Sequence, residues 1–137
     1  MKTVIYPGSF SPWHEGHTDV VEKALQVFDH VIIAQGRNPS KEQRNLDIHC
    51  LPSHIANDKR IMVVSYENLL ADFIKSINTP VHAVVKGLRN GRDLEYEQTQ
   101  QFWNEKLGIT IPTVYFVATG DLVYVSSSAL RAIERFK

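Results

Sequence analysis

Apolar and polar positions along the chain predict strands and helices that follow one another in alternation. Five short apolar runs predict buried strands, over residues 2–6, 30–35, 61–65, 81–85 and 113–118. Helices are predicted over residues 16–29, 67–77, 92–107 and 126–136. Residues 46–57 are ambiguous, because Pro52 forbids a smooth helix through them but could begin one. This alternation is typical of an α/β fold, and we predict a single-domain, Rossmann-like, doubly wound sheet of five parallel strands.

Composition narrows the class of protein without identifying it. The 137 residues are enough for one domain, over residues 1–137, with a substantial core. Lys plus Arg and Asp plus Glu number 15 each, and this balance argues against a general nucleic-acid binder. The single cysteine, Cys50, excludes an intramolecular disulfide and fits a reducing compartment. No apolar run approaches the roughly 18 residues that span a bilayer, so we expect a cytoplasmic protein with neither nucleic-acid nor membrane partners.

Residues 8–17, between the first strand and the first helix, hold side chains that suit phosphate chemistry. They include Ser9, His14 and His17, with a glycine before the serine and another between the histidines. A helix start offers unpaired N–H groups and the positive end of a dipole, and both favour phosphate. The histidines could instead be ordinary capping or loop residues. A zinc site is a weaker alternative, since the chain has one cysteine and no third clustered ligand.

Three further polar clusters follow predicted strands. They contain Arg37, Lys41 and Arg44 after the second strand, Lys86, Arg89, Asp93 and Glu97 around a turn predicted at residues 86–91, and Ser126, Ser127 and Ser128 after the fifth strand. Each has an ordinary structural explanation, as a solvated loop, a surface salt-bridge network or a helix cap. Because the carboxyl ends of parallel strands share one edge, all four clusters would meet there, which predicts a triphosphate site. The chain carries no Walker-type, dinucleotide-redox or hydrolase-elbow motif.

Five motifs occur in order between residue 2 and about residue 134. They are YPGSFSP at residues 6–12, GH at 16–17, KGLR at 86–89, DLEYE at 93–97 and VSSS at 125–128. Together they resemble phosphopantetheine adenylyltransferases, of the nucleotidyltransferase superfamily that carries the His-x-Gly-His motif. The first motif alone marks the superfamily, whereas the third and fourth are much more specific to this member.

The resemblance implies an enzyme that moves AMP from ATP to 4′-phosphopantetheine and releases dephospho-coenzyme A and pyrophosphate. The acceptor phosphate is already an anionic nucleophile, so catalysis reduces to positioning and charge stabilisation. The resemblance also implies Mg²⁺ that is carried by ATP, no metal site of the protein's own, and a homo-oligomer, commonly a hexamer.

The resemblance assigns roles to named residues. It implies His17, Ser9 and Lys41 as catalytic residues, and Ser9, Lys41, Leu70 and Lys86 as acceptor-binding residues. The ATP-binding residues that it implies are Ser9, Phe10, His14, His17, Gly87, Leu88, Arg89, Glu97, Ser126, Ser127 and Ser128. Among these, Arg89 and the three serines would hold the β- and γ-phosphates, and Glu97 would lie at the nucleotide. Leu70 would lie near the pantetheine arm.

Several positions depart from the usual pattern of this family. Ser9 and His14 stand where threonine is usual, Lys86 stands where arginine is usual, and segment 42–57 lacks the usual helix start. His14 completes a His-x-Gly-His motif that is widespread in other members of the superfamily. The full pattern Gly-x-Phe-x-Pro-x-His-x-Gly-His makes nicotinamide mononucleotide adenylyltransferases the closest alternative. A cytidylyltransferase is less favoured, because its Arg-Thr-x-Gly-Ile-Ser motif is absent. A nucleotide-binding protein without catalysis is the alternative from a different class.

Overall fold

Strands and helices alternate throughout the part of the chain that the computed structural model describes, which is residues 1–37, 46, 50–89, 91–120 and 127–135. The strands are β1 (Thr3–Gly8), β2 (His30–Gly36), β3 (Ile61–Tyr66), β4 (Ala83–Leu88) and β5 (Thr113–Val117). The helices are α1 (Glu15–Val27), α2 (Ser53–Ala56), α3 (Leu70–Ser76), α4 (Gly91–Lys106) and α5 (Ser127–Glu134).

The five strands form one parallel sheet in the order β3-β2-β1-β4-β5. Ile5 of β1 lies opposite Ile32 of β2 on one side and opposite Val84 of β4 on the other. The chain moves outward from β1 to β3 and then crosses back to β4, so the strand order reverses between β1 and β4. Open parallel sheets bind ligands beyond the carboxyl ends of their strands at such a reversal. The predicted α/β sheet of five parallel strands is confirmed, and its β1–β4 edge is where a site is expected.

Helices cover both faces of the sheet, because alternate residues of a strand point to opposite sides. On one face, Ile33 belongs to a buried cluster that includes Val20 of α1. On the other face, Ile5 and Ile32 belong to a second cluster, against which Phe73 of α3 packs. Ile5 and Ile33 are both 0% exposed. Burial on both sides explains why these strands read as unbroken runs of valine and isoleucine.

The end of β4 corrects one prediction. The strand continues to Leu88, so Lys86, Gly87 and Leu88 belong to the sheet and not to a turn. Their partners in β5 are Tyr115–Val117, taken in the same order. The apolar pattern missed this extension because a strand end that faces a site needs backbone partners, which β5 supplies, and not apolar side chains.

Two smaller differences concern the helices. α3 begins at Leu70, later than the predicted start at residue 67. The ambiguous segment contains the short helix α2, whose N-cap is Pro52, so the proline does begin a helix. Among the helices of the described residues, none is long and apolar enough to cross a membrane.

Candidate active site at the carboxyl ends of β1 and β4

The turn between β1 and α1 leaves Ser9 exposed at the carboxyl edge of the sheet. Phe10 has a φ of 47°, a left-handed conformation that costs a non-glycine residue about 1–2 kcal/mol. Its ring is 3% exposed and meets the ring of His17 edge-on, with the centroids 4.9 Å apart. Gly8 makes room for this ring, since a Cβ there would lie 2.8 Å from Phe10 Cζ. Phe10 could therefore reach a ligand only through its backbone.

The two histidines cap the first turn of α1 as a reciprocal pair. His14 is the N-cap, and its Nδ1 accepts a hydrogen bond from the Gly16 N–H at 3.0 Å. His17 Nδ1 accepts one from the His14 N–H at 3.1 Å. The rings stack with their centroids 3.7 Å apart, and a Cβ at Gly16 would lie 2.8 Å from His14 Cε1. Because Nδ1 is an acceptor in both rings, each neutral imidazole carries its hydrogen on Nε2.

Both histidines are held neutral by their surroundings. Burial, and then the neighbouring His14, lower the pKa of His17 to about 3. Burial lowers the pKa of His14 as well, and the guanidinium of Arg89 lowers it further. Near pH 7 the pair therefore offers two neutral Nε2–H donors. Because β4 pairs with β1 and packs against α1 at Gly87, the end of β4 and the start of α1 lie at the same edge of the sheet.

Arg89, directly after β4, is oriented by the first turn of α4. Its backbone N–H donates to Asp93 Oδ2 at 2.8 Å, and its Nε and Nη2 donate to the two carboxylate oxygens at 3.1 Å each. This two-pronged contact fits the rigid fork of a guanidinium. The side chain of Arg89 is 39% exposed, so the cation is fixed in direction yet accessible at the edge of the sheet.

Lys86 and Glu97 pair with each other. Lys86 Nζ lies 2.6 Å from Glu97 Oε2 and 3.4 Å from Gln100 Oε1. The side chains of the ion pair are only 15% and 17% exposed. Burial, and then the charge of Glu97, raise the pKa of Tyr115 on β5. The pair therefore sits between β4, β5 and α4, where a partly buried lysine needs its carboxylate partner.

Gly87 lets α1 approach β4. A Cβ at this position would lie 2.8 Å from Val20 Cγ2, while the glycine itself is exposed. Its neighbour Leu88 uses its carbonyl oxygen to accept from the Ala118 N–H at 2.8 Å. The Lys-Gly-Leu-Arg motif thus holds the histidine helix close to the strand end and, through Leu88, binds the chain that follows β5.

Comparison with known proteins identifies the family. The family model described as cytidylyltransferase-like matches residues 5–133. A phosphopantetheine adenylyltransferase of Christiangramia forsetii is 35% identical over 136 residues, which cover 97% of this chain and 88% of that protein. The chain belongs to the phosphopantetheine adenylyltransferases of the cytidylyltransferase-like family.

A further relative supports the family, and a solved structure supports the fold. A phosphopantetheine adenylyltransferase of Clostridium botulinum (strain Alaska E43 / Type E3) is 37% identical over 142 residues, which cover 99% of this chain and 86% of that protein. A solved structure of a lipopolysaccharide core biosynthesis protein from Thermoplasma volcanium GSS1 covers 88% of this chain and 99% of its own, with a TM-score of 0.59. At 19% identity, that structure supports the fold alone. The resemblance drawn from the motifs is confirmed.

The structure gathers several of the residues that the family resemblance singles out. Ser9, the histidine pair and Arg89 lie at the β1–β4 edge, and α5 joins them because Arg131 Nη1 donates to the Ser11 carbonyl. Ser127 and Ser128 are the first two positions of α5. Leu70 is the first residue of α3 and packs with the second core cluster. Lys41 and Ser126 lie outside the described residues, and the roles of all these residues stay predictions.

Asp19 and Gln35, like Arg131, form polar contacts at this edge that the sequence did not reveal. Asp19 of α1 accepts from the backbone N–H and the hydroxyl of Thr119, at 3.1 and 2.9 Å, and so ties α1 to the chain after β5. Gln35 of β2 is 1% exposed and donates to the carbonyl of Ser9 at 2.9 Å. The signal that could have revealed Gln35 is an amide directly after four apolar strand residues.

Two carboxylates at the site are already paired with cations. Asp93 binds Arg89, and Glu97 binds Lys86. Among the residues that the structure describes, no group of three or more His, Cys, Asp or Glu side chains is placed to hold a metal ion. A divalent cation would find its oxygen ligands more readily on a triphosphate than on these engaged carboxylates.

Proposed function

We propose that this protein transfers AMP from ATP to 4′-phosphopantetheine and releases dephospho-coenzyme A and pyrophosphate. The observation that carries the proposal is the pair of neutral, stacked histidines at the start of α1, at the same edge of the sheet as the guanidinium of Arg89. This arrangement places two Nε2–H donors and a cation at the same edge of the sheet. Family membership supplies the acceptor, because relatives covering nearly the whole chain are named phosphopantetheine adenylyltransferases.

Adenylyl transfer requires the substrates to be positioned and the developing charge to be stabilised. An oxygen of the acceptor phosphate attacks the α-phosphorus of ATP, and the bond from that phosphorus to the bridging oxygen of the β-phosphate breaks. The electron pair leaves with pyrophosphate, and no proton must be removed from the nucleophile. A neutral His17 suits this reaction, since its Nε2–H can donate to a phosphate oxygen as charge develops in the transition state. The hydroxyl of Ser9 would orient the two reacting phosphates.

The cations would divide between the two substrates. Arg89 would bind the β- and γ-phosphates together with Ser126, Ser127 and Ser128. Lys86 and Lys41 would bind the phosphate of phosphopantetheine. Lys86 suits this role because an ammonium has three N–H donors, of which Glu97 and Gln100 engage two.

The remaining parts of the proposal follow the family. Nucleotidyl transfer from ATP generally uses a divalent metal, and we propose Mg²⁺ carried by the triphosphate, where it would neutralise charge on the β- and γ-oxygens. We further propose that the enzyme works in the cytoplasm as a homo-oligomer, a hexamer by resemblance.

The test is pyrophosphate release with each acceptor in turn. The protein is incubated with ATP, Mg²⁺ and either 4′-phosphopantetheine or nicotinamide mononucleotide, and separately with CTP and glycerol 3-phosphate. Release with 4′-phosphopantetheine alone is expected. Release only with one of the other acceptors would refute the proposal. Tight ATP binding without release from any mixture would instead favour a nucleotide-binding protein that lacks catalysis.

A further inference from the structure

One buried polar side chain at the sheet edge lies outside the five motifs that carry the family resemblance. Gln35 lies near the end of β2 and is 1% exposed. Its Nε2 donates to the Ser9 carbonyl at 2.9 Å, and its Oε1 accepts from the Leu46 N–H at 2.7 Å. A buried amide is tolerated only when its donor and acceptor are both hydrogen-bonded. An apolar side chain would suit this position if packing alone mattered. The two hydrogen bonds therefore indicate that the amide of Gln35 has a role beyond packing.

The first hydrogen bond orients the peptide group between Ser9 and Phe10. This peptide bond is trans, and a trans peptide points its C=O and N–H in opposite directions. Because the Ser9 carbonyl faces the buried amide of Gln35, the Phe10 N–H points away from it. Phe10 adopts its left-handed φ at this same peptide. Gln35 therefore stabilises a strained turn in the orientation that presents an N–H donor.

The second hydrogen bond joins this turn to the chain beyond β2. Leu46 packs against the core cluster that includes α1, and Gln35 binds its backbone N–H. The sequence between Gly36 and Leu46 contains Lys41, the lysine expected at the acceptor phosphate. One side chain thus links the turn that carries Ser9 to the far end of the segment that carries Lys41.

We infer that Gln35 is a positioning residue for adenylyl transfer, an inference that rests on the proposed function. Its buried amide aims the Ser9–Phe10 peptide at the triphosphate and fixes Leu46 against the same turn. Gln35 itself touches neither substrate, because it is enclosed by the protein. Its contribution should appear in the transition state more than in the binding of ATP, since a misdirected donor weakens the interaction that grows as charge develops.

The experiment compares Gln35→Met with Ile33→Met. Methionine keeps the length of glutamine and is an unbranched, adaptable side chain, but it cannot replace either hydrogen bond. Ile33 lies two residues earlier on the same face of β2 and is 0% exposed, so it is a matched packing control. We measure kcat, the KM for ATP, the melting temperature and the hydrogen-exchange rate of the Leu46 amide in both variants.

We expect kcat to fall at least about tenfold in Gln35→Met relative to Ile33→Met, with the KM for ATP changed less than about threefold. The Leu46 amide should exchange at least about tenfold faster in Gln35→Met only. Equal kcat in the two variants would overturn the inference, because it would reduce Gln35 to a packing residue. Should Gln35→Met fail to fold, Gln35→Leu and Ile33→Leu form the same comparison.

The exchange measurement separates this inference from the proposed function. If the unaltered protein transfers no AMP to any acceptor, the proposed function fails while the link through Gln35 can still be measured. Unchanged exchange at Leu46 in Gln35→Met would then contradict the inference without reference to activity. Faster exchange confined to that variant would support the hydrogen bond from the Leu46 amide to Gln35, which is the half of the link that does not depend on activity.

Discussion

Replacing Gly87 with alanine tests how the strand end and the histidine helix are held together. A Cβ on Gly87 would stand 2.8 Å from Val20 Cγ2, and real Cβ contacts essentially never fall below 3.0 Å. Val20 cannot simply rotate, because valine in a helix strongly prefers one χ1 rotamer. The helix α1 must therefore move outward. Overpacking of this kind costs about 1–3 kcal/mol, and alanine in a strand recovers about 0.4–1 kcal/mol by restricting the unfolded chain.

The net expectation for Gly87→Ala is a loss of about 0.5–2 kcal/mol in the free energy of unfolding. For a chain of 137 residues this corresponds to a fall in melting temperature of a few degrees, on the order of 2–8 °C. The same shift moves His17, which lies almost one helical turn before Val20, away from the end of β4. Since a misplacement of about 1 Å can cost 10²-fold in rate, a smaller displacement of α1 should lower kcat by about tenfold.

The assay uses Gly87→Ala, Val20→Ala and the double variant, with thermal unfolding and kcat measured for each. Val20→Ala alone should cost about 2 kcal/mol, from two lost methyl groups and a small cavity. In the double variant the clash is absent, so it should be at least as stable as Val20→Ala and should recover part of kcat. Strictly additive losses would refute the reasoning, because they would show that the two side chains do not meet.

Three further predictions concern ionisable groups at the site. His17→Ala should lower kcat about 10²-fold or more, as loss of one transition-state donor does, and an unchanged rate of pyrophosphate release would remove His17 from the mechanism. The pKa of His17 is about 3 in the folded protein and about 6.5 in the unfolded chain, so the unfolded chain takes up the proton first as the pH falls. The melting temperature should therefore fall as the pH drops from about 6.5 towards 3. The fall should be less steep in His17→Gln, whose side chain can still cap the helix. Lys86→Met leaves the largely buried Glu97 without its cation, so the free energy of unfolding should fall by about 1–3 kcal/mol, and the KM for 4′-phosphopantetheine should rise. Lys86→Arg should restore stability. A normal KM in Lys86→Met would exclude Lys86 from the acceptor site.

The sheet could be predicted from the sequence because its signal is local. Strand β2 contains four consecutive apolar residues, and burial on both faces demands that composition. The end of β4 could not be predicted in the same way, because Lys86 and Gly87 have no apolar signal. They belong to the sheet because β5 pairs with them and because α1 needs a residue without a Cβ at Gly87. Both causes are contacts between segments distant in sequence, which a pattern read along one segment does not contain.

The histidine pair shows why the sequence left two explanations open. Capping and ligand binding were alternatives when only the spacing of His14 and His17 was known. In the structure, capping uses Nδ1 of each ring and leaves Nε2 as the second functional atom. One ring can therefore satisfy the helix and still serve a phosphate, so the two explanations are compatible. Sequence spacing identifies the residue but not the ring nitrogen, and the ring nitrogen determines what the residue can do.

The charges of the described site explain how a chain with no net charge could hold a triphosphate. Arg89 and Lys86 each pair with a carboxylate of α4, four residues apart at Asp93 and Glu97. Helix α4 runs back past the end of β4, so Asp93 meets Arg89 and Glu97 meets Lys86. With Arg89 and Lys86 each paired and His17 neutral, oriented N–H donors at short range, including those of the guanidinium and the ammonium, can attract an anion with little bulk positive charge. The strength of such donors depends on their position and direction, so Gly87 and the amide of Gln35, which set position and carry no charge, should each affect the rate.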